Sequence, residues 1–210
     1  MACVAKNRIK AVVGLGNPGK QYNDTRHNIG FDILGAYLSS LKGETLITDK
    51  YSGIYCFKNI GGEKIHFLKP MTYMNLSGNA VKKLMDSEEL KAEEILVIHD
   101  DMDFELGVVR LKLGGGSAGH NGVESIIQSL QSSNFARLRI GIGIGIGRIQ
   151  NDAMRDHVLD KFKEEETENL KEAVKISLEA IKLTLARDIH LAMNVINAIK
   201  ISNNNTGAQN

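Results

Sequence analysis

Histidine, aspartate and asparagine recur in four short stretches of this chain, a combination suited to moving a proton and stabilising an oxyanion. The first, AVVGLGNPGKQYNDTRHNIGF, holds Asn17, His27 and Asn28. MTYMNLSG holds Asn75, HDDMD holds His99, Asp100, Asp101 and Asp103, and GGGSAGHNG holds His120 and Asn121. A histidine titrating near neutrality can take a proton from water, and a carboxylate can fix its tautomer and steady the imidazolium. Amide N–H groups can then hold the developing oxyanion. Such parts can cleave an activated ester by direct attack of water, with no covalent intermediate.

No nucleophile stands out against that reading. There is no G-x-S-x-G elbow, and neither Cys3 nor Cys56 lies in a histidine signature. Ser77 and Ser117 have no supporting motif. Two other readings stay open. HDDMD, with His27 and His120, offers ligands for a metal-dependent hydrolase, although no H-E-x-x-H spacing accompanies it. A non-catalytic RNA-binding protein would account for a basic segment but not for His27 and Asp100. Taken singly, each residue also has a structural use: Asn75 and Asn121 as helix caps, Asn17-Pro18-Gly19 as a turn, His27 as a surface or capping histidine.

Gly14, Gly16 and Gly19 spell G-x-G-x-x-G, the spacing of a dinucleotide loop. That fingerprint needs a helix to start at once and an acidic residue to end the next strand. Here KQYNDTRHN follows Gly19 with no apolar period before Ile29, and Asp32 falls inside the predicted helix. The context excludes a nucleotide cofactor.

Each of the four stretches follows a predicted strand, the place where α/β sheets hold ligands. The apolar run at 9–15 reads as a buried strand, and Ile29, Ile33, Leu34, Tyr37, Leu38 and Leu41 keep helical spacing after it. SGIYCFKNI and EKIHFLKP, joined by Gly61-Gly62, read as a hairpin. NLSGNAVKKLMDSEEL reads as a helix with Leu76, Ala80, Val81 and Leu84 on one face. EEILVIHD and VVRLKL read as strands, GVESIIQSL as a helix, and ARLRIGIGI as a strand whose glycines leave room for a neighbouring backbone. One or two helices fill 163–200. Alternating strands and helices imply an α/β fold, a largely parallel sheet with helices on both faces.

With 210 residues, 42% hydrophobic and 24% charged, the chain fits one α/β domain over 1–200 and a polar, disordered tail at 201–210. It has no membrane-length apolar run and no long apolar core of a secretory signal at its N-terminus. Two isolated cysteines suit reduced thiols in a cytoplasmic protein. The net charge is +1, but residues 104–150 carry five basic side chains (Arg110, Lys112, Arg137, Arg139, Arg148) against two acidic ones, while 151–186 is acidic. A basic face permits nucleic-acid binding without establishing it.

Together the motifs carry a resemblance. GLGNPGKQYNDTRHNIGF, KPMTYMNLSG, ILVIHDDMD and KLGGGSAGHNG followed by FARLRIGIG resemble, in order and spacing, bacterial-type peptidyl-tRNA hydrolase over roughly residues 9–200. The resemblance implies an esterase that releases peptides from tRNAs dropped by stalled ribosomes. It implies a monomeric, single α/β domain with a twisted mixed sheet flanked by helices, without a metal or cofactor. It also implies His27 as catalytic base, Asp100 as its orienting partner, and Asn17 as the group that distinguishes N-blocked from free aminoacyl esters. Asn75 and Asn121 match amides that hold the ester and its water, and Tyr22, Tyr73 and Met74 match residues lining the cleft. Arg110, Lys112 and Arg139 match basic positions expected to meet tRNA phosphates.

Overall fold

The computed structural model describes residues 9–143 and 156–199. The tail expected at 201–210, the end of the Ile–Gly run at 144–147, Arg148 and the N-terminal stretch with Cys3 lie outside the described residues.

Seven strands form one sheet in the order β2-β3-β4-β1-β5-β7-β6. β1 (Ala11–Gly14), β4 (Glu63–Pro70), β5 (Ile95–Glu105) and β7 (Ala136–Gly143) are mutually parallel at its centre. β1 is buried at every position, as a parallel strand covered on both faces requires. The outer pairings are antiparallel: β2 (Thr48–Lys50) on β3 (Gly53–Ile60), β3 on β4, and β6 (Val109–Leu113) on β7. Gly61 and Gly62, both at positive φ (60° and 83°), form the two-residue turn of the β3–β4 hairpin. Such a turn matches the twist of its strands.

Alternation along the strands divides the core. Val12, Leu96, Ile98 and Leu138 face α1 (Ile29–Ser40), α4 (Thr167–Ala186) and α5 (Ile189–Asn197). Val13, Ile95 and Val97 face α2 (Ser77–Glu88) and α3 (Asn121–Leu130). The helices expected over 163–200 are α4 and α5, and they share the face of α1.

Two local readings need correction. Leu76 is 46% exposed, in a single 3₁₀ turn before α2, while Ala80, Val81 and Leu84 form the buried face as expected. β2 has no counterpart in the sequence reading, because Thr48, Asp49 and Lys50 are all exposed and show no apolar alternation. The glycines of β7 do admit a second backbone: a Cβ on Gly141 would meet the Glu105 carbonyl, and one on Gly143 the Met102 carbonyl. The register between β5 and β7 shifts there, between Asp101 and Glu105.

Candidate active site

The loops after β1, β4 and β5 leave the same edge of the sheet because those strands are parallel. The glycine-rich stretch arrives by another route. β6 runs antiparallel to β7, so residues 114–120 must travel back along the sheet before α3 begins. Arg137 on β7 holds that path in place, donating to the Gly115 and Gly116 carbonyls.

His27 occupies a single 3₁₀ turn that leads into α1. Close approach of α1 to the sheet sets its depth. A Cβ on Gly14 would collide with the Gly30 carbonyl, and one on Gly30 would sit 2.5 Å from the Ile98 carbonyl. The glycine of the dinucleotide-like spacing therefore serves helix–sheet packing rather than a phosphate. Asn28, the next residue, accepts from the Asn17 backbone N–H at 2.8 Å and donates to its carbonyl at 3.0 Å. The loop carrying Asn17 is thus fastened beside His27. The Asn17 side-chain oxygen accepts from the Met74 N–H at 2.8 Å, which leaves its Nδ2 as the group with hydrogens to offer.

Asp100 receives two imidazoles. His27 Nδ1 lies 2.9 and 3.0 Å from its carboxylate oxygens, and His120 Nε2 lies 2.9 Å from Oδ1. The hydrogen bonds fix both tautomers. His120 Nδ1 accepts from the Gly122 and Val123 N–H groups, capping α3, so its proton resides on Nε2 and points at Asp100. His27 donates from Nδ1 and keeps Nε2 as its basic atom. His120, not Asn121, is the cap of α3, and Asn75 caps nothing, since the N-cap position of α2 is Leu76. Asn75 and Asn121 are instead exposed and line the cleft.

Charge follows from these contacts. Burial opposes protonation of His27, but the charge and hydrogen bond of Asp100 outweigh it and raise the pKa above the ordinary 6.5. Burial pushes the Asp100 carboxyl up, whereas His27 and His120 hold it well below the usual carboxylate range. His99, fully buried beside His120, is kept neutral by desolvation.

The cleft above these groups measures about 690 Å³. Asn17, Tyr22, His27, Tyr73, Met74, Asp100, His120 and Asn121 line it. Met102, Val158 and Leu159 add apolar surface to the lining. The structure therefore brings eight of the expected residues into one cleft: Asn17, Tyr22, His27, Tyr73, Met74, Asn75, Asp100 and Asn121.

Arg110, Lys112 and Arg139 do not line it. They lie on β6 and β7, where Arg110 pairs across with Arg139 and Lys112 with Arg137. Arg139 Nε bonds Asp101 at 2.5 Å, which links this face to the cleft, and Arg110 Nη1 bonds the Val109 and Ile199 carbonyls.

Of HDDMD only Asp100 joins a ligand cluster among the described residues. His99 Nδ1 bonds the Asp100 carbonyl, and Asp101, which also lines the cleft, bonds Arg139. Among the described residues, His27, Asp100 and His120 do place one ligand atom each within 4.8 Å of one another and could take a metal ion. As they stand, the same atoms are joined by hydrogen bonds. His120 was visible in the sequence beside Asn121. Its partnership with Asp100 was not, because the loop before it reverses direction.

The sequence matches the family model described as peptidyl-tRNA hydrolase over residues 11–204. It is 43% identical to the peptidyl-tRNA hydrolase of Shouchella clausii, over 90% of this chain and all of that one. It is 40% identical to the Bacillus subtilis peptidyl-tRNA hydrolase, over 89% of this chain and 97% of that one. The crystal structure of the Acinetobacter baumannii peptidyl-tRNA hydrolase superposes with a TM-score of 0.84 at 39% identity, covering 93% of this chain and 97% of that one. The matched span contains every residue of the cleft and of the basic strand pair, and the chain belongs to the peptidyl-tRNA hydrolase family.

Proposed function

We propose that the chain hydrolyses the ester between a peptide and its tRNA, with His27 as the base that activates water. The observation that carries this reading is the His27–Asp100 pair in a cleft also lined by Asn17, Asn75 and Asn121. His27 Nε2 takes a proton from water as the water oxygen attacks the ester carbonyl carbon. Asp100 holds the Nδ1–H and stabilises the imidazolium. The side-chain N–H groups of Asn75 and Asn121 are suited to the oxyanion and the attacking water. When the tetrahedral centre collapses, the bond to the ribose oxygen breaks and His27 returns its proton to that oxygen. The products are the peptide carboxylate and tRNA with a free terminal hydroxyl.

Asn17 supplies selection. With its oxygen occupied by Met74 N–H, Nδ2 presents a donor. The carbonyl of an N-blocked residue accepts such a donor, whereas a free α-ammonium brings only donors of its own. Tyr22, Tyr73 and Met74 line the same cleft and are suited to packing against the acyl group or the terminal adenosine.

Arg110, Lys112 and Arg139 are suited to tRNA phosphates. Like charges directly opposite one another on a strand pair repel, and β6–β7 holds two such pairs. Neutralisation by an anion would relieve them. Phosphate contacts give affinity without reading sequence, as a general scavenger of peptidyl-tRNA requires. One chain supplies every group named, so the chemistry needs no second subunit. Comparing purified protein on N-acetyl-aminoacyl-tRNA and on free aminoacyl-tRNA tests this reading, which requires release from the blocked ester alone.

A further inference from the structure

Part of the cleft's apolar lining is attached to the catalytic turn by a partly buried ion pair between residues far apart in sequence. Arg26, immediately before His27, is 3% exposed. Its two terminal nitrogens bind both carboxylate oxygens of Glu166, at 2.9 and 2.7 Å, across 140 residues of chain. Its guanidinium also lies 4.9 Å from the centre of the Phe162 ring.

The backbone joins in the same place. The Arg26 N–H donates to the Asp160 carbonyl at 3.0 Å, and Thr25 forms a bridge with Lys161. At the other end, His157 Nε2 lies 2.7 Å from the Ile142 carbonyl at the end of β7. Between these anchors the chain presents Val158 and Leu159 to the cleft. Segment 156–166 is therefore a strap, pinned at β7 on one side and at the residue beside the base on the other.

We propose that Arg26 and Glu166 are positioning residues for peptidyl-tRNA hydrolysis, latching segment 156–166 so that Val158 and Leu159 form part of the cleft wall. The proposal rests on the reading of that cleft as the acyl-ester site. A bidentate guanidinium–carboxylate pair fixes direction as well as distance, which a wall built on a connecting segment needs. It leaves the reacting atoms alone: neither residue touches His27 Nε2, Asp100 or the Asn17 side chain. Its effect is on how the substrate is held rather than on the proton transfer.

Glu166→Ala and Leu159→Ala, singly and combined, are assayed on N-acetyl-aminoacyl-tRNA, with hydrogen exchange followed over 156–166. Glu166→Ala strands a buried guanidinium, so Arg26→Met/Glu166→Gln, which removes both charges, is made in parallel. The expected result is a KM raised about tenfold, the order of one lost leucine contact. Turnover should stay within about twofold of the parent and the pH profile should not move. Exchange over 156–166 should quicken while β5 stays protected, and Leu159→Ala should add little to Glu166→Ala because both remove the same wall. An unchanged KM despite faster exchange would overturn the proposal, as would a fall in turnover alone or fully additive effects. Exchange needs no substrate, so failure of the hydrolytic reading shows as an inactive parent chain and failure of the latch as unaltered exchange.

Discussion

His27 Nδ1 and the Asp100 carboxylate stand 2.9 Å apart, with both groups buried. They come from different elements, the 3₁₀ turn before α1 and the parallel strand β5, which lies between β1 and β7. The pairing fixes one imidazole nitrogen as donor and leaves the other as base.

A pH dependence with a defined sign follows. In the proposed mechanism His27 works when neutral, and its pKa lies above the ordinary 6.5 because Asp100 outweighs the effect of burial. Activity should therefore fall with decreasing pH through a midpoint above 6.5. In Asp100→Asn the charge is gone while burial remains, so the midpoint should drop below that value. Turnover should fall by about 10²–10⁴-fold as the ring loses its orientation. A pH–rate profile of kcat/KM for the two proteins checks both statements.

His120 gives a smaller, mixed effect. Replacing it with Ala removes the cap of α3 and one of the two imidazoles on Asp100. The lost cap is worth about 1 kcal/mol, which lowers Tm by about 2–4 °C for a chain of this size. Turnover should drop, but by less than in Asp100→Asn. Thermal unfolding and single-turnover rates on one preparation separate the two losses.

The four motifs were legible because each binds its chemistry to a short run of sequence. Asn17, His27, Asp100 and Asn121 follow recognisable strands and arrive in one cleft. What could not be read is set by distant contacts. His120 meets Asp100 only because residues 114–120 run back along the sheet. Arg26 meets Glu166 across 140 residues with no periodicity to announce it. β2 was missed because an exposed edge strand carries no buried alternation. Capping is the structural use that the residue types of Asn75 and Asn121 allow, and the geometry gives that task on α3 to the His120 ring.

Selection for blocked esters should reside in Asn17. Asn17→Ala removes the Nδ2 donor and also the acceptor for Met74 N–H. Hydrolysis of N-acetyl-aminoacyl-tRNA should slow by about 10–100-fold, the order of one lost hydrogen bond with a neighbour left unpaired. The ratio of its kcat/KM to that for free aminoacyl-tRNA should shrink. Paired assays of the two substrates measure that ratio directly.

The basic strand pair should act through salt-dependent binding. Lys112→Ala should raise KM, leave single-turnover chemistry unchanged and reduce the slope of log K against log salt by about one. Arg110→Ala should likewise weaken binding with little change in the chemical step. Arg139→Ala should also lower Tm, because it leaves the buried Asp101 carboxylate without its close cationic partner. Binding isotherms at several salt concentrations, with melting curves beside them, distinguish the three.

The most direct test of the central claim is release of the N-acetyl-aminoacyl group from tRNA in excess EDTA, comparing the parent protein with His27→Ala. Water activation by His27 predicts full activity of the parent with chelator present and a loss of about 10²–10⁴-fold in turnover for the variant at little-changed KM. A parent silenced by EDTA and restored by a divalent ion, or a His27→Ala protein that turns over at the parent's rate, would contradict it.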